Sequence, residues 1–483
     1  MSKTIVVNRK LSEAEILEIK HLAKNGSIVY AFPEDIIPGI SQKITIGLEE
    51  KRRLNFDIME EVLRFGDYPV NTSTIADIFR IDTASIWHYH KFRVYFDVCN
   101  IMYFLHPLQD KFNSFSEQIW YVGPELNVLQ KVIPEVEFRV QKKDDNQGYP
   151  IANLFKYLAV STYRILRQFL RRKTNPEYLV YLTEKYVNML HPKTLNPIDG
   201  NGLLEYLILK FDERFTLLTE VIMPKLKGKS NYSFSSKQLA GKWGRCQKIF
   251  LEGFMFSGLL SNKVRKTTQK AHQSIKRSYN LVHGKELTLI QKLIFEVFQS
   301  LDGSTGYYLF RHFSARKFFV STPIKAVIAY DENSPSTKSV LDAAKFCGIK
   351  VIGLQHGTMH DLHPAYLYTL KDSNNHIMPD LTLAWGKYWE TFLLEKGNYP
   401  AGSVISVGQI RTDIIPALTK AESQKEVNPV CQIVFASQPQ RDQDLRFRAA
   451  FDVFKAAQHV PNAHLIVKLH PHEFGDIDRK SVV

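Results

Sequence analysis

The sequence predicts an α/β fold with two parallel-sheet domains, and three observations carry that prediction. AVIAY, SPSTKSVLDAAKFC and KVIGL read as a strand, a helix and a strand, and CQIVFA, a helix over residues 442–459 and HLIVKL read the same way. Each β-α-β unit pairs its strands in parallel through a right-handed crossover. Between the two units lies TKAESQKEVNP, polar and without periodicity, as an interdomain linker should be.

From the N-terminus, IVVN near Thr4 reads as a strand, residues 12–24 as a helix, and SIVYAF as a strand ending near Phe32. Residues 150–322 turn mostly helical, with NLFKYLAVSTYRILRQFLRR and LTLIQKLIFEVFQSL and little strand signal, so a helical insertion in the N-terminal half is expected. Within it, residues 237–279 mix Lys and Arg with aromatics, which suits a face for anionic lipid headgroups or an anionic acceptor, and equally a solvated helix face. Beyond KVIGL come the strand LTLAW, the helix KYWETFLLEK stopped by Gly397, and the strand SVISVG. The expected organisation is a first domain over 1–420, a linker over 421–429 and the start of a nucleotide-binding domain over 430–477. Two strands do not cover their own sheet, so this second domain is expected to be incomplete, with 478–483 (DRKSVV) a non-native tail.

The 483 residues are 44% hydrophobic and 23% charged, ordinary globular material for two or three domains. No apolar run is long enough for a bilayer, and MSKTIVVNRKLSE lacks the apolar middle of a signal peptide, so a cytoplasmic protein is expected. Four scattered cysteines, Cys99, Cys246, Cys347 and Cys431, form no CxxC pair and suggest neither zinc nor a disulfide framework. A net charge of +14 invites an anionic partner: nucleic acid, a membrane surface or phosphorylated sugars.

In open parallel sheets ligands bind at the carboxyl ends of strands, which singles out four loops. Asp331 and Glu332 follow AVIAY, and either carboxylate can serve as a base toward a hydroxyl or cap the next helix. Gln355, His356, Gly357 and Thr358 follow KVIGL, offering donors for phosphate or sugar hydroxyls and a glycine for close approach. Ser437 and Gln438 follow CQIVFA, suited to nucleotide phosphates or to helix capping. His470 and Pro471 follow HLIVKL, where a histidine can stabilise charge on a departing phosphate. His360, His363, Pro364, Arg411 and Asp413 are lesser candidates for shaping the cleft, and no third ligand accompanies the HxH at 470–472 to make a metal site.

With these residues in view, KAVIAYDENS, VIGLQHGTMHDLHPAY, LAWG, SVGQIRTD, VFASQ and VKLHPHE, in that order over the last third of the chain, resemble the bacterial surface-polysaccharide glycosyltransferases of GT-B type. That group includes polysialyltransferases and Kdo transferases, and similar QHG and HP elements occur in polyglycerol-phosphate polymerases. The resemblance implies two Rossmann-type domains, a nucleotide-sugar donor, a glycan or lipid-linked acceptor and no catalytic metal or other cofactor. It implies that Asp331 or Glu332 is the general base, that His356 helps bind acceptor or donor, and that His470 contacts the donor phosphate. Asn333 stands where sialyl-type members have glycine, so CMP-sialic acid is not singled out as donor. The alternatives are a CDP-glycerol-type glycerophosphotransferase, a nucleotide-sugar 2-epimerase and, from another class, a basic nucleic-acid-binding protein. No nucleic-acid motif accompanies the charge, so nucleic acid is not the expected partner.

Overall fold

The computed structural model describes residues 3–8, 11–32, 37–44, 46–112, 119–123, 127–133, 136–140, 151–170, 177–183, 186–202, 204–210, 215–220, 247–423, 430–438 and 443–469. Short runs rich in β-branched and aromatic residues make the strands of two separate parallel sheets. In the first third of the chain β1 (Thr4–Val7), β2 (Ile28–Ala31) and β3 (Ser41–Lys43) are followed by two small hairpins, β4 (Pro69–Val70) with β5 (Ser73–Thr74) and β6 (Arg80–Ile81) with β7 (Ala84–Ser85), and then by β8 (Ile119–Gly123) and β9 (Val136–Val140). The first sheet has the order β3-β2-β1-β8-β9, parallel throughout. Ile5 and Val7 pack with Ile19 and Trp120 on one face, and Val6 with Tyr121 joins the helical core on the other, so both faces are covered as a parallel sheet requires. The helix feeding β2, Glu13–Lys24, opens on a Ser12 cap with reciprocal bonding to Glu15.

The second sheet is larger. Its strands are β10 (Tyr178–Thr183), β13 (Thr216–Glu220), β14 (Gln247–Phe250), β15 (Ala326–Ala329), β16 (Lys350–Leu354), β17 (Leu381–Ala384) and β18 (Val404–Ser406), while β11 (Tyr186–Leu190) and β12 (Pro197–Asn201) form a hairpin of their own. The order is β14-β13-β10-β15-β16-β17-β18, again parallel throughout. The chain runs outward in one direction from β10 and in the other from β15, so the topological switch point of this doubly wound sheet lies between those two strands. Leu179, Tyr181, Val327 and Val351 pack with Leu341 and Ala344 of the helix Pro335–Phe346, and Val180, Ile328 and Leu354 pack with Leu204 and Ile208 on the opposite face.

Residues 150–322 therefore differ from the helical insertion expected of them. They hold the helices Ile151–Leu170, Leu251–Leu259, Asn262–His283, Leu289–Ser300 and Asp302–Val320, but also β10, β13 and β14, which build one side of the second sheet. An apolar run as short as YLVYLT has the same composition in a strand as in a buried helix turn, and only its pairing with β13 and β15 decides between them.

The chain divides into two units, Met1–His191 with Asn196–Asp413, and Pro192–Leu195 with Ile414–Val483. The division falls at Asp413 where the sequence suggested 420. In the second unit β19 (Cys431–Ala436) pairs in parallel with β20 (Ala463–Lys468), joined by the helix Gln443–Gln458, the β-α-β unit expected there. Among the described residues no helix is long and apolar enough to cross a membrane.

One buried cation ties the second sheet to its helices. Arg311, on the helix Asp302–Val320, donates to Glu220 Oε2 at 2.8 Å, to the Tyr181 hydroxyl at 3.0 Å and to the Ser336 carbonyl at 3.1 Å. It thus joins the ends of β10 and β13 to the start of the helix after β15. Replacing Arg311 by Met leaves Glu220 and Tyr181 without this partner, and urea unfolding is expected to show a loss of about 3–5 kcal/mol.

Candidate functional site

Two of the four strand-end loops singled out in the sequence stand together on the second sheet. β15 and β16 are neighbours, with Ala329 opposite Gly353, so the residues that follow each strand emerge side by side at the carboxyl edge. Tyr330, Asp331 and Glu332 leave β15 next to the switch point, and Gln355, His356 and Gly357 leave β16.

The two adjacent acids have different surroundings. Glu332 is 3% exposed, and neither carboxyl oxygen has a hydrogen-bond partner among the described residues. Gly353 makes room for it: a Cβ there would meet Glu332 Oε1 at 3.2 Å. Burial, assisted by the charge of Asp331, pushes the Glu332 carboxyl up to about 8, so it is protonated at neutral pH. Asp331 is half-buried and is raised more modestly, by burial first, while His356 and the hydroxyl and amide of Ser334 pull it back toward the ionised form. Asp331 thus feels both Ser334, the cap residue of the helix Pro335–Phe346, and the charge of His356.

His356 is held on several sides. Its ring meets Tyr330 edge-on with centroids 6.0 Å apart, and its Nδ1 lies 3.4 Å from the Tyr366 hydroxyl. Burial lowers its pKa, opposed by the charge of Asp331, so the imidazole is biased toward the neutral form that accepts or relays a proton. Tyr366 continues toward His363, whose ring is 4.8 Å away and which burial pushes down to about 4. Tyr366 is a participant that strand-end reasoning does not reach, because it arrives from a loop ten residues downstream of His356.

Gln355 plays a different part from the one expected of it. Its side-chain oxygen accepts from the Trp385 N–H at 2.7 Å and its nitrogen donates to the Gly357 carbonyl at 3.0 Å, so the amide pins the ends of β16 and β17 together. A Cβ at Gly357 would meet open space, and Thr358 is exposed.

Beside these residues lies a cavity of about 190 Å³ with largely apolar walls: Leu204, Leu207, Phe215, Leu354, Leu383 and Trp385, closed by Val407 to Ile410 after β18. Gln355, His356 and Arg411 bring polar atoms to it. Gly408, at φ 86°, takes the left-handed turn that returns the chain over the cavity. Arg411 is exposed and its guanidinium stands 5.8 Å from the Trp385 ring centre, a cation over an aromatic wall. In the orientation that satisfies the Gln409 amide, its oxygen accepts from Arg411 Nη2 at 2.7 Å.

The loop carrying Tyr366 is anchored from below by the helix Ile86–Phe112. His88 Nε2 meets Asp372 Oδ1 at 3.0 Å, Lys91 donates to the Leu367 carbonyl at 2.6 Å, and the Lys91 ammonium lies 4.2 Å from the Tyr368 ring centre. These groups are buried; His88 and Lys91 hold the Asp372 carboxyl below its usual range despite that burial.

In the second unit the Ser437 hydroxyl donates to the Lys468 carbonyl at 3.3 Å, and its N–H bonds to the same oxygen at 2.9 Å, which fastens the ends of β19 and β20. Gln438 is exposed beside it. His470 and Pro471 lie outside the described residues. Among the described residues no group of three or more His, Cys, Asp or Glu is placed to hold a metal ion.

No protein-family model matches the chain, and no curated protein matches it. Among solved structures, the adenylation, ketoreductase and pseudo Asub multidomain structure of a keto acid-selecting NRPS module aligns over 98% of this chain and 43% of its own length, at 9% identity and a TM-score of 0.18. A likeness this slight carries no argument about fold or function.

Proposed function

We propose that the chain is a nucleotide-sugar-dependent glycosyltransferase acting on a surface-polysaccharide or lipid-linked glycan acceptor at the cytoplasmic side of the cell membrane. The observation that carries this reading is the pairing of Asp331 with His356 at the carboxyl edge of β15 and β16, beside the switch point and the aromatic-walled cavity. In this reading the second sheet is the acceptor side of a GT-B arrangement, and β19 and β20 begin the donor side.

The acceptor hydroxyl attacks the anomeric carbon of the donor, and its proton passes to the Asp331 carboxylate as the new C–O bond forms. The bond from the anomeric carbon to the phosphate oxygen breaks, and the nucleotide leaves carrying the negative charge, with His470 placed by the sequence resemblance to meet it. Neutral His356, fixed by Tyr330 and Tyr366, orients the hydroxyl. Trp385 offers an apolar platform and Arg411 a charge for an acidic or phosphorylated group of the substrate.

Release of CMP, UDP, GDP or CDP from a panel of activated donors, with and without added glycan, tests the reading. Acceptor-dependent release from one sugar nucleotide, diminished in His470→Ala, is the expected result. Release from CDP-glycerol alone replaces the reading by a glycerophosphotransferase, and silence toward every donor in folded protein removes it.

A further inference from the structure

The positive charge of the chain is concentrated in one place. Residues 221–285 hold 14 lysines and arginines and a single acid, Glu252, against a net charge of +14 for all 483 residues. That one acid is turned inward, 3.2 Å from buried Arg164.

The described part of this segment separates apolar from cationic surface. The helix Asn262–His283 buries Val264, Ala271, Ile275, Tyr279 and Val282 against its neighbours. Lys263, Lys266, Lys270 and Arg277 are exposed at i, i+3, i+7 and i+14, which places them along one flank. None of the four has an acidic partner among the described ion pairs, whereas Lys276 and His272 on the opposite flank close on Asp302 at 3.8 and 3.1 Å.

At the start of this flank the surface becomes apolar. Leu259 and Leu260, 53% and 68% exposed, end the preceding helix immediately before the Ser261 cap. Two exposed leucines beside a row of cations with no acidic partner among the described ion pairs match a bilayer surface, whose phosphates take the charges while its acyl boundary takes the leucines. A soluble polyanion satisfies the cations and leaves the aliphatic corner in water.

We infer that this face docks the protein on an anionic lipid bilayer, with Leu259 and Leu260 entering the headgroup boundary and Lys263, Lys266, Lys270 and Arg277 lying on lipid phosphates. The inference stands independently of the transferase chemistry, because none of these residues belongs to the site on β15 and β16.

Co-sedimentation of the full chain with vesicles of phosphatidylcholine alone, or mixed with phosphatidylglycerol, tests it. The chain is expected to partition onto the anionic vesicles and to leave them at high salt. Lys263→Gln with Lys266→Gln and Lys270→Gln is expected to weaken partition about 100-fold, at roughly fivefold per charge, and the matching triple Arg variant is expected to retain it. Leu259→Ser with Leu260→Ser is expected to weaken partition with the charges intact. Equal partition onto both vesicles, unaltered partition of the Gln variant with its far-ultraviolet spectrum preserved, or binding to DNA or an anionic polysaccharide with none to vesicles each overturns the inference.

Discussion

Asp331→Asn is expected to reduce acceptor-dependent nucleotide release by about 10²–10⁴-fold, the usual contribution of a positioned general base, while donor binding stays within a few-fold of the parent. Asparagine keeps the shape and can still accept from Ser334, so the substitution removes basicity with little change of packing. The pH profile gives a second, independent readout. Burial raises the Asp331 pKa above 3.8, so the carboxylate is lost as pH falls through a value higher than an ordinary aspartate shows. His356 moves the other way, its protonation deferred below the normal histidine range. The parent is therefore expected to show an acid limb that begins above the ordinary aspartate value, and Asp331→Asn should flatten it. A variant with undiminished turnover, or with the acid limb unmoved, would falsify the assignment of Asp331 as base.

Strand-end reasoning found this pair because it depends only on where a short apolar run stops. KVIGL and CQIVFA each run into polar residues and were legible to the residue, and the helices read over 12–24 and 334–347 match Glu13–Lys24 and Pro335–Phe346 to within one residue at each end. β10, β13 and β14 were not legible. Their apolar runs sit among amphipathic helices, and β10 finds its partner β15 nearly 150 positions away in the sequence, a pairing that no local window contains. The first sheet was legible as alternating strands and helices but not as a sheet separate from the second, since order along the chain does not state which strands pair.

Within the site the limit was direction. Asp331 and Glu332 leave β15 in a turn closed by the Ser334 N–H on the Asp331 carbonyl, and which of the two acids faces inward depends on packing. The vacancy that admits Glu332 is made by Gly353 of the next strand, which does not neighbour it in sequence. Gln355 looked like a ligand donor by its position, yet the nearest unpaired amide is that of Trp385, thirty residues on, and the side chain satisfies it. Arg411 was visible only as a polar residue after a strand; its place over Trp385 comes from the turn at Gly408.

Glu332→Gln is expected to leave turnover within a few-fold of the parent and to change the pH dependence of stability. A carboxyl held at about 8 in the folded chain and near 4.5 in the unfolded chain takes up a proton on folding between those two values. Its folded pKa is raised, so the folded chain binds more protons than the unfolded chain in that window and stability falls as pH rises through it. Below about 4.5 the carboxyl is neutral in both states and costs nothing electrostatically; above about 8 the folded chain carries a buried carboxylate with no hydrogen-bond partner among the described residues. The difference between the two ends is roughly 3–5 kcal/mol. Glutamine has the shape of the protonated acid and no proton to lose, so the variant should match the parent at pH 5 and exceed it progressively toward pH 9 in denaturant unfolding. Because Asp331 remains, the same protein should still transfer sugar. If the variant is inactive while Asp331→Asn is active, the roles of the two acids are reversed; if both variants are active, neither is the base. A parent whose stability is level from pH 5 to pH 9 shows instead that Glu332 ionises freely, with water or a cation reaching it through the cleft.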